Sequence, residues 1–154
     1  MKILVISDSH GFKKYIHEAV ESESPDMILH LGDNKKDCDD LGSLYSEIPI
    51  RCVKGNCDRF SPGLETDEFT LEGKRFLMTH GHLYGVKTGK ESILNSAFSR
   101  GADVLLFGHT HIPYCSDYEN LIAVNPGSLG SAEKSYAVLF IKNGDVSCEL
   151  KKLS

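Results

Sequence analysis

Apolar runs punctuate the chain: Ile3-Leu4-Val5-Ile6, Met27-Ile28-Leu29, Ile50-Arg51-Cys52-Val53 (interrupted by Arg51), Phe76-Leu77-Met78 and Val104-Leu105-Leu106-Phe107. Runs this short and this apolar predict strands buried on both faces. Between the first three lie stripes of helical period. Phe12, Ile16, Ala19 and Val20 recur until Ser24-Pro25, and Cys38, Leu41, Leu44, Tyr45 and Ile48 until Pro49. Strand, helix and strand in that order predict βαβ units with parallel pairing. Arg59 to Leu64, with Pro62-Gly63, reads as an exposed loop. Glu68 to Leu71 and Lys74 to Thr79 then flank a turn at Glu72-Gly73. A third helix, from Lys90 to Ser99, should bury Ile93, Leu94, Ala97 and Phe98 and stop at Gly101. Beyond it, Tyr114-Cys115 and Leu121 to Val124 flank Glu119-Asn120, while Tyr136 to Ile141 and Val146 to Leu150 flank Asn143-Gly144, a strong hairpin signal. The expectation is one α/β domain over residues 1–154, with parallel strands first and antiparallel strands later.

The segments at the ends of the apolar runs carry the chemistry. Ser7-Asp8-Ser9-His10 comes after the first, His30-Leu31-Gly32-Asp33-Asn34 after the second and Gly55-Asn56-Cys57-Asp58 after the third. His80-Gly81-His82 and Gly108-His109-Thr110-His111 come after the last two. Ligands commonly bind where such strands end. His109 and His111 would face one way if their segment were extended. Each residue has a plainer role when taken singly. Asp8 and Asp33 suit helix N-caps, His80 and His109 suit half-buried histidines, and Asn56 suits a left-handed turn after Gly55. No capping or packing role explains all of them at five strand ends, so the pattern predicts a metal site. Asp58 would orient a ligand or merely shape a turn, and His82 would touch substrate phosphate or face solvent. Lys35, Lys36, Arg59 and Lys87 fall in loops at the expected mouth, where they attract anions or are simply solvated.

The order Asp-x-His, Gly-Asp, Gly-Asn-x-Asp, His-Gly-His, Gly-His-Thr-His resembles the calcineurin-like metallophosphoesterase superfamily, and within it the small YfcE-type phosphodiesterases, from Lys2 to about Ile141. The resemblance implies an αββα sandwich of two mixed sheets flanked by helices. It also implies two divalent metal ions per chain: Asp8, His10 and His111 on the first, Asn56, His80 and His109 on the second, and Asp33 bridging. Asp33, Asn56, His80 and His109 would also be catalytic, and Cys57, Asp58 and His82 would contact substrate or brace the ligands. Asn125-Pro126-Gly127-Ser128 resembles a family motif beside the site. Nitrogen and oxygen donors suit manganese first, with nickel, iron or zinc as alternatives. The implied reaction is hydrolysis of a small phosphodiester by metal-activated water.

Cys57 departs from the Gly-Asn-His-Asp block of many superfamily phosphatases. A thiol carries no positive charge and donates weakly, so diesters with good leaving groups should be preferred over monoester dianions. The rival reading is a Vps29-like scaffold that binds proteins and catalyses nothing; a phosphomonoesterase or nuclease of the same superfamily is a second alternative.

Composition narrows the partners. The chain is 40% hydrophobic and 25% charged, ordinary for a soluble globular protein. A net charge of -5 argues against duplex nucleic acid as partner, whereas bound metal would supply local positive charge for a small anion. Ile3 to Ile6 is too short for a signal-peptide core or a membrane span. Five cysteines (Cys38, Cys52, Cys57, Cys115 and Cys148) form no Cys-x-x-Cys, which fits free thiols in the cytoplasm. A homo-oligomer is compatible with all of this.

Overall fold

The computed structural model describes residues 1–154. In chain order its elements are β1 (Lys2–Ile6), α1 (Lys13–Glu23), β2 (Met27–His30), α2 (Lys35–Leu44), β3 (Ile50–Cys52), β4 (Thr66–Leu71) and β5 (Lys74–Thr79). They continue with α3 (Glu91–Ser99), β6 (Val104–Leu106), β7 (Tyr114–Tyr118), β8 (Leu121–Asn125), β9 (Ser135–Lys142) and β10 (Asp145–Lys152). Single 3-10 turns occupy Asn56–Asp58 and His82–Tyr84.

The strands form two five-stranded sheets, ordered β10-β9-β1-β2-β3 and β4-β5-β6-β8-β7. In the first, β1, β2 and β3 are parallel and the β9–β10 hairpin runs antiparallel beside β1. In the second, β5, β6 and β8 are parallel, and β4 and β7 are antiparallel edges. Parallel pairing therefore extends into the later half of the chain, where the β-rich pattern suggests antiparallel strands alone. Hairpin signals reveal which neighbours are antiparallel, but not that β8 folds back between β7 and β6.

Alternation inside the apolar runs builds the layers. Ile3 and Val5 point between the sheets, with Phe76, Met78, Val104, Leu106, Ile122 and Val124 opposite. Leu4 and Ile6 point the other way, under Ile16, Ala19 and Val20 of α1 and Leu41 of α2. Leu77, Leu105 and Ala123 lie under Ile93 and Ala97 of α3. A strand covered on both faces needs an apolar residue at every position, which the runs of β1, β2, β5 and β6 supply, whereas edge strand β3 exposes Arg51. Each such side chain contributes roughly 1.5–3 kcal/mol on full burial. The result is an αββα sandwich.

Local departures have local causes. Phe98, expected in the core, is 49% exposed and meets Tyr118 edge-on, because the short α3 presents only Ile93 and Ala97 squarely to the sheet. Leu94 is only partly buried. The second helix ends at Leu44, so Ile48 packs on the core from the loop beyond it. Lys35 and Lys36 form the first turn of α2, and Lys35 is paired with Asp39 at 3.2 Å.

Glu23 ties the outer layer together. Its buried carboxylate meets the Lys2 ammonium at 2.8 Å and the Lys151 ammonium at 3.0 Å, and Tyr136 OH donates to it at 2.8 Å. Burial alone would raise its pKa, but Lys2, Tyr136 and Lys151 together outweigh it and hold the carboxyl at about 2. A folded value below the unfolded one gives stability that is complete above about pH 4.5 and lost as pH falls toward 2. Glu23→Gln should therefore cost roughly 1–2 kcal/mol at neutral pH, kept modest by lysines 29% and 34% exposed. In urea melts the difference from the unaltered protein should shrink across that acid window; a constant difference would show that the ion pairs are not its source.

Candidate metal centre

Parallel strands of one sheet all end at the same edge, so the loops after β1, β2 and β3 converge, as do those after β5, β6 and β8. Side chains from both sets meet. Asp8, His10 and His111 form one group whose ligand-type atoms lie within 4.8 Å of one another, and Asp33, His80 and His109 form another. His10, Asp33 and Cys57 form a third by the same measure, so Asp33 lies between the other two groups.

The hydrogen-bonding logic of the cluster calls for a cation. His80 Nδ1 lies 2.8 Å from the Leu31 carbonyl oxygen, to which it must donate. In the neutral ring, Nε2 then carries a lone pair. Around that atom stand Asn56 Oδ1 at 3.1 Å, His109 Nδ1 at 3.2 Å, Asp33 Oδ2 at 3.5 Å and Asp8 Oδ1 at 3.7 Å. The Asn56, Asp33 and Asp8 oxygens only accept, so crowding them against that lone pair is relieved by a proton or a metal ion among them. Across the cluster, His111 Nε2 lies 3.1 Å from Asp8 Oδ1 and 3.5 Å from His10 Nε2. The donor set fits divalent cations.

The electrostatics run the same way. Burial lowers the His80 pKa, but Asp33 and Asp8 outweigh it and the net shift is upward. Burial raises that of Asp33, which the His80 ring and the Cys57 backbone N–H reverse, holding the carboxyl well below the usual range. His109 is pulled down, first by burial and then by the charges of His80 and Lys87. Burial and the carboxylates of Asp33, Asp58 and Asp8 push the Cys57 thiol up, so without metal it is neutral.

Backbone strain concentrates here. Asp8, His10, Asp33, His109 and His111 all have left-handed φ, between 47° and 69°. Aspartate and histidine tolerate that region better than most residues, yet such conformations cost energy and cluster at functional sites. The strain also changes one expectation. His109 and His111 are not in an extended segment, and their rings diverge into different groups. Nor do Asp8 and Asp33 cap helices: Phe12 and Asn34 hold those positions, without side-chain caps.

Surrounding residues hold the cluster in place. Asp8 Oδ2 accepts from Ser7 Oγ at 2.5 Å and from the His109 N–H at 3.2 Å, which leaves Oδ1 facing the cluster. Asp58 does more than shape a turn. Its carboxylate accepts the backbone N–H groups of Gly55, Asp33, Asn34 and Lys35 at 2.7–3.0 Å, welding the Asp33 loop to the Asn56 loop. The weld requires Gly55, because a Cβ there would stand 2.5 Å from the Asp33 nitrogen. Fully buried Asn125 donates to the Gly108 carbonyl and to Thr110 Oγ1, both at 3.0 Å, and Ser128 Oγ donates to the Asp8 carbonyl at 2.8 Å. The Asn125–Ser128 segment thus braces loops from both sheets.

One network has no counterpart among the expected residues. Ser9 Oγ donates to Asp37 Oδ2 at 2.6 Å and lies 3.0 Å from His30 Nε2, all three side chains being buried. Asp37 also accepts from the Gly11 N–H and from Asn34 Nδ2, each at 3.2 Å. It joins the Asp8–His10 loop to α2. The only sequence signal was a histidine closing an otherwise apolar strand. His82 sits in a 3-10 turn at the margin, its ring 5.4 Å from that of His80, with Nδ1 buried and unpartnered. Exposed Arg59 joins none of these groups.

Comparison with known proteins agrees with this geometry. Residues 1–144 match the model of the calcineurin-like phosphoesterase superfamily domain. The chain is 32% identical over 150 residues to the probable metallophosphoesterase YsnB of Bacillus subtilis, covering 93% of this chain and 86% of that one. It is 32% identical over 167 residues to the phosphodiesterase YfcE of Escherichia coli K12, covering 90% and 87%. A crystal structure of a predicted phosphoesterase from Streptococcus pneumoniae superposes with a TM-score of 0.83 at 27% identity, over 98% of this chain and 88% of the other. A Vps29 variant from Entamoeba histolytica shares the fold, with a TM-score of 0.76 at 20% identity over the whole of both chains. With a matched family model over nearly its full length, close relatives and a donor set suited to divalent metal, the chain belongs to the calcineurin-like metallophosphoesterase superfamily.

Proposed function

We propose that this chain is a phosphodiesterase acting on small phosphodiesters at a two-metal centre. Asp8, His10 and His111 would hold one divalent ion, Asn56, His80 and His109 the other, and Asp33 would serve both. The observation that carries the reading is the buried His80 Nε2, fixed by the Leu31 carbonyl and ringed by Asn56, His109, Asp33 and Asp8. Manganese is the preferred ion, with nickel, iron and zinc compatible with the same donors. When bound, the pair would clamp the phosphoryl oxygens and make water nucleophilic near neutral pH.

The protein's own groups set the preference. Two divalent ions against the Asp8 and Asp33 carboxylates leave a surplus of about two positive charges, suited to a diester monoanion and a nucleophile. Cys57 offers neither positive charge nor a good proton donor, which disfavours monoester dianions and poor leaving groups. His82, at the margin, would hydrogen-bond a phosphate oxygen. The net charge of -5 makes duplex nucleic acid a poor partner. No helix is long and apolar enough to cross a membrane, and the free thiols suit a cytoplasmic location.

The test is a panel of bis(p-nitrophenyl) phosphate, cyclic nucleotides and p-nitrophenyl phosphate, each with manganese, nickel, iron and zinc. Metal-dependent turnover should favour the activated diester. Equal, negligible turnover by metal-free and metal-loaded protein would transfer the case to a Vps29-like scaffold.

A further inference from the structure

We propose that the cavity beside the His109–His111 loop is an anion subsite, taking the far end of a diester in which one alcohol is nucleoside-sized and carries a second negative charge. The proposal rests on the phosphodiesterase reading above and adds the substrate class.

The cavity measures about 450 Å³, within the range that holds small ligands. One wall is Thr110, which stands between His109 and His111 in the chain. That wall is rigid, since fully buried Asn125 holds Thr110 Oγ1 at 3.0 Å and the Gly108 carbonyl at 3.0 Å. Val86, Phe107, Ile112 and Tyr114 supply apolar surface able to cover a sugar or base.

Its charged lining consists of Lys87 and Lys90, neither in an ion pair, while the Glu91 carboxylate stands behind the Gly89 backbone between them. Elsewhere Lys13, Lys35, Arg51 and Arg100 are paired with Asp40, Asp39, Asp67 and Glu68. The Lys90 ammonium stands 4.5 Å over the Tyr114 ring, which positions the charge without consuming its hydrogen-bond donors. Two lysines outside any ion pair, above an apolar wall, suit an amphiphilic anion.

Two esters that differ by one phosphate test the claim: the p-nitrophenyl ester of thymidine 5'-phosphate and the same ester bearing a 3'-phosphate. The added phosphate should raise kcat/KM about tenfold at low salt, mainly through KM, as a charge-assisted contact would. Thymidine 3',5'-bisphosphate should likewise bind the metal-loaded protein about tenfold more tightly than thymidine 5'-phosphate. Both ratios should collapse toward one in Lys87→Ala combined with Lys90→Ala, and in the milder Lys90→Gln they should fall partway. Lys142→Ala, on the distant β9, should leave both ratios intact. A ratio near one in the unaltered protein, a ratio that survives the double substitution, or equal loss in Lys142→Ala would overturn the proposal. Turnover of bis(p-nitrophenyl) phosphate separates the two readings: without it the phosphodiesterase assignment fails, while the binding ratio still decides the subsite.

Discussion

Asp33→Asn should reduce diester turnover at least 10³-fold and leave fewer than two tightly held metal ions per chain. Outer partners of metal ligands typically cost 10–100-fold in affinity or activity when removed, and the residue lying between both groups should cost more. The substitution keeps shape while removing the negative charge, and an amide bridges two cations poorly. Asp33 Oδ1 accepts the Cys57 N–H at 3.0 Å, a contact that an amide oxygen can preserve, so the loop should stay in place. His80→Ala should be comparably severe, since it removes the one ring aimed into the cluster by a backbone carbonyl. Elemental analysis after manganese loading, with urea melts to check folding, reads both effects. A folded Asp33→Asn protein with two tightly bound ions and turnover within tenfold of the original would refute the bridging role.

The second large effect is a change of substrate preference. Cys57→His should raise p-nitrophenyl phosphate turnover relative to bis(p-nitrophenyl) phosphate, because an imidazole restores charge and a proton where a neutral thiol stands. General acid catalysis contributes roughly 10²–10⁴-fold, so even a poorly oriented ring should be visible. The position tolerates the change: Cys57 is exposed and steadies Asp33 through its backbone N–H. Cys57→Ala should keep diester turnover within about tenfold. Loss of all diester activity in folded, metal-loaded Cys57→Ala would make the thiol itself catalytic. Cys57 Sγ, near the ligand atoms of His10 and Asp33, is close enough to the centre for that comparison to be sharp.

Much of this architecture was legible in the chain. The runs at Ile3, Phe76 and Val104 announce strands covered on both faces because no alternation with polar residues is present to suit a solvated face. The residues after them announce the cluster, because parallel strands in one sheet deliver their carboxyl ends to one edge. Element bounds near Leu44 and the exposure of Phe98 were less legible, since spacing reports which side chains share a stripe but not how much of it a neighbouring layer covers.

Local sequence alone determined the strand and helix segments, the donor types and their order, since these depend on periodicity within one element. Tertiary structure decided how β8 comes to lie beside β6, how His109 and His111 divide between two groups, and that Asp58 caps the Asp33 loop. It also assembled Ser9, His30 and Asp37, and brought Ser128 to Asp8 across 120 residues. The physical reason is common to all of these. Left-handed residues break the periodicity from which side-chain direction is read, and a hydrogen bond between distant loops leaves no spacing for a sequence pattern to record.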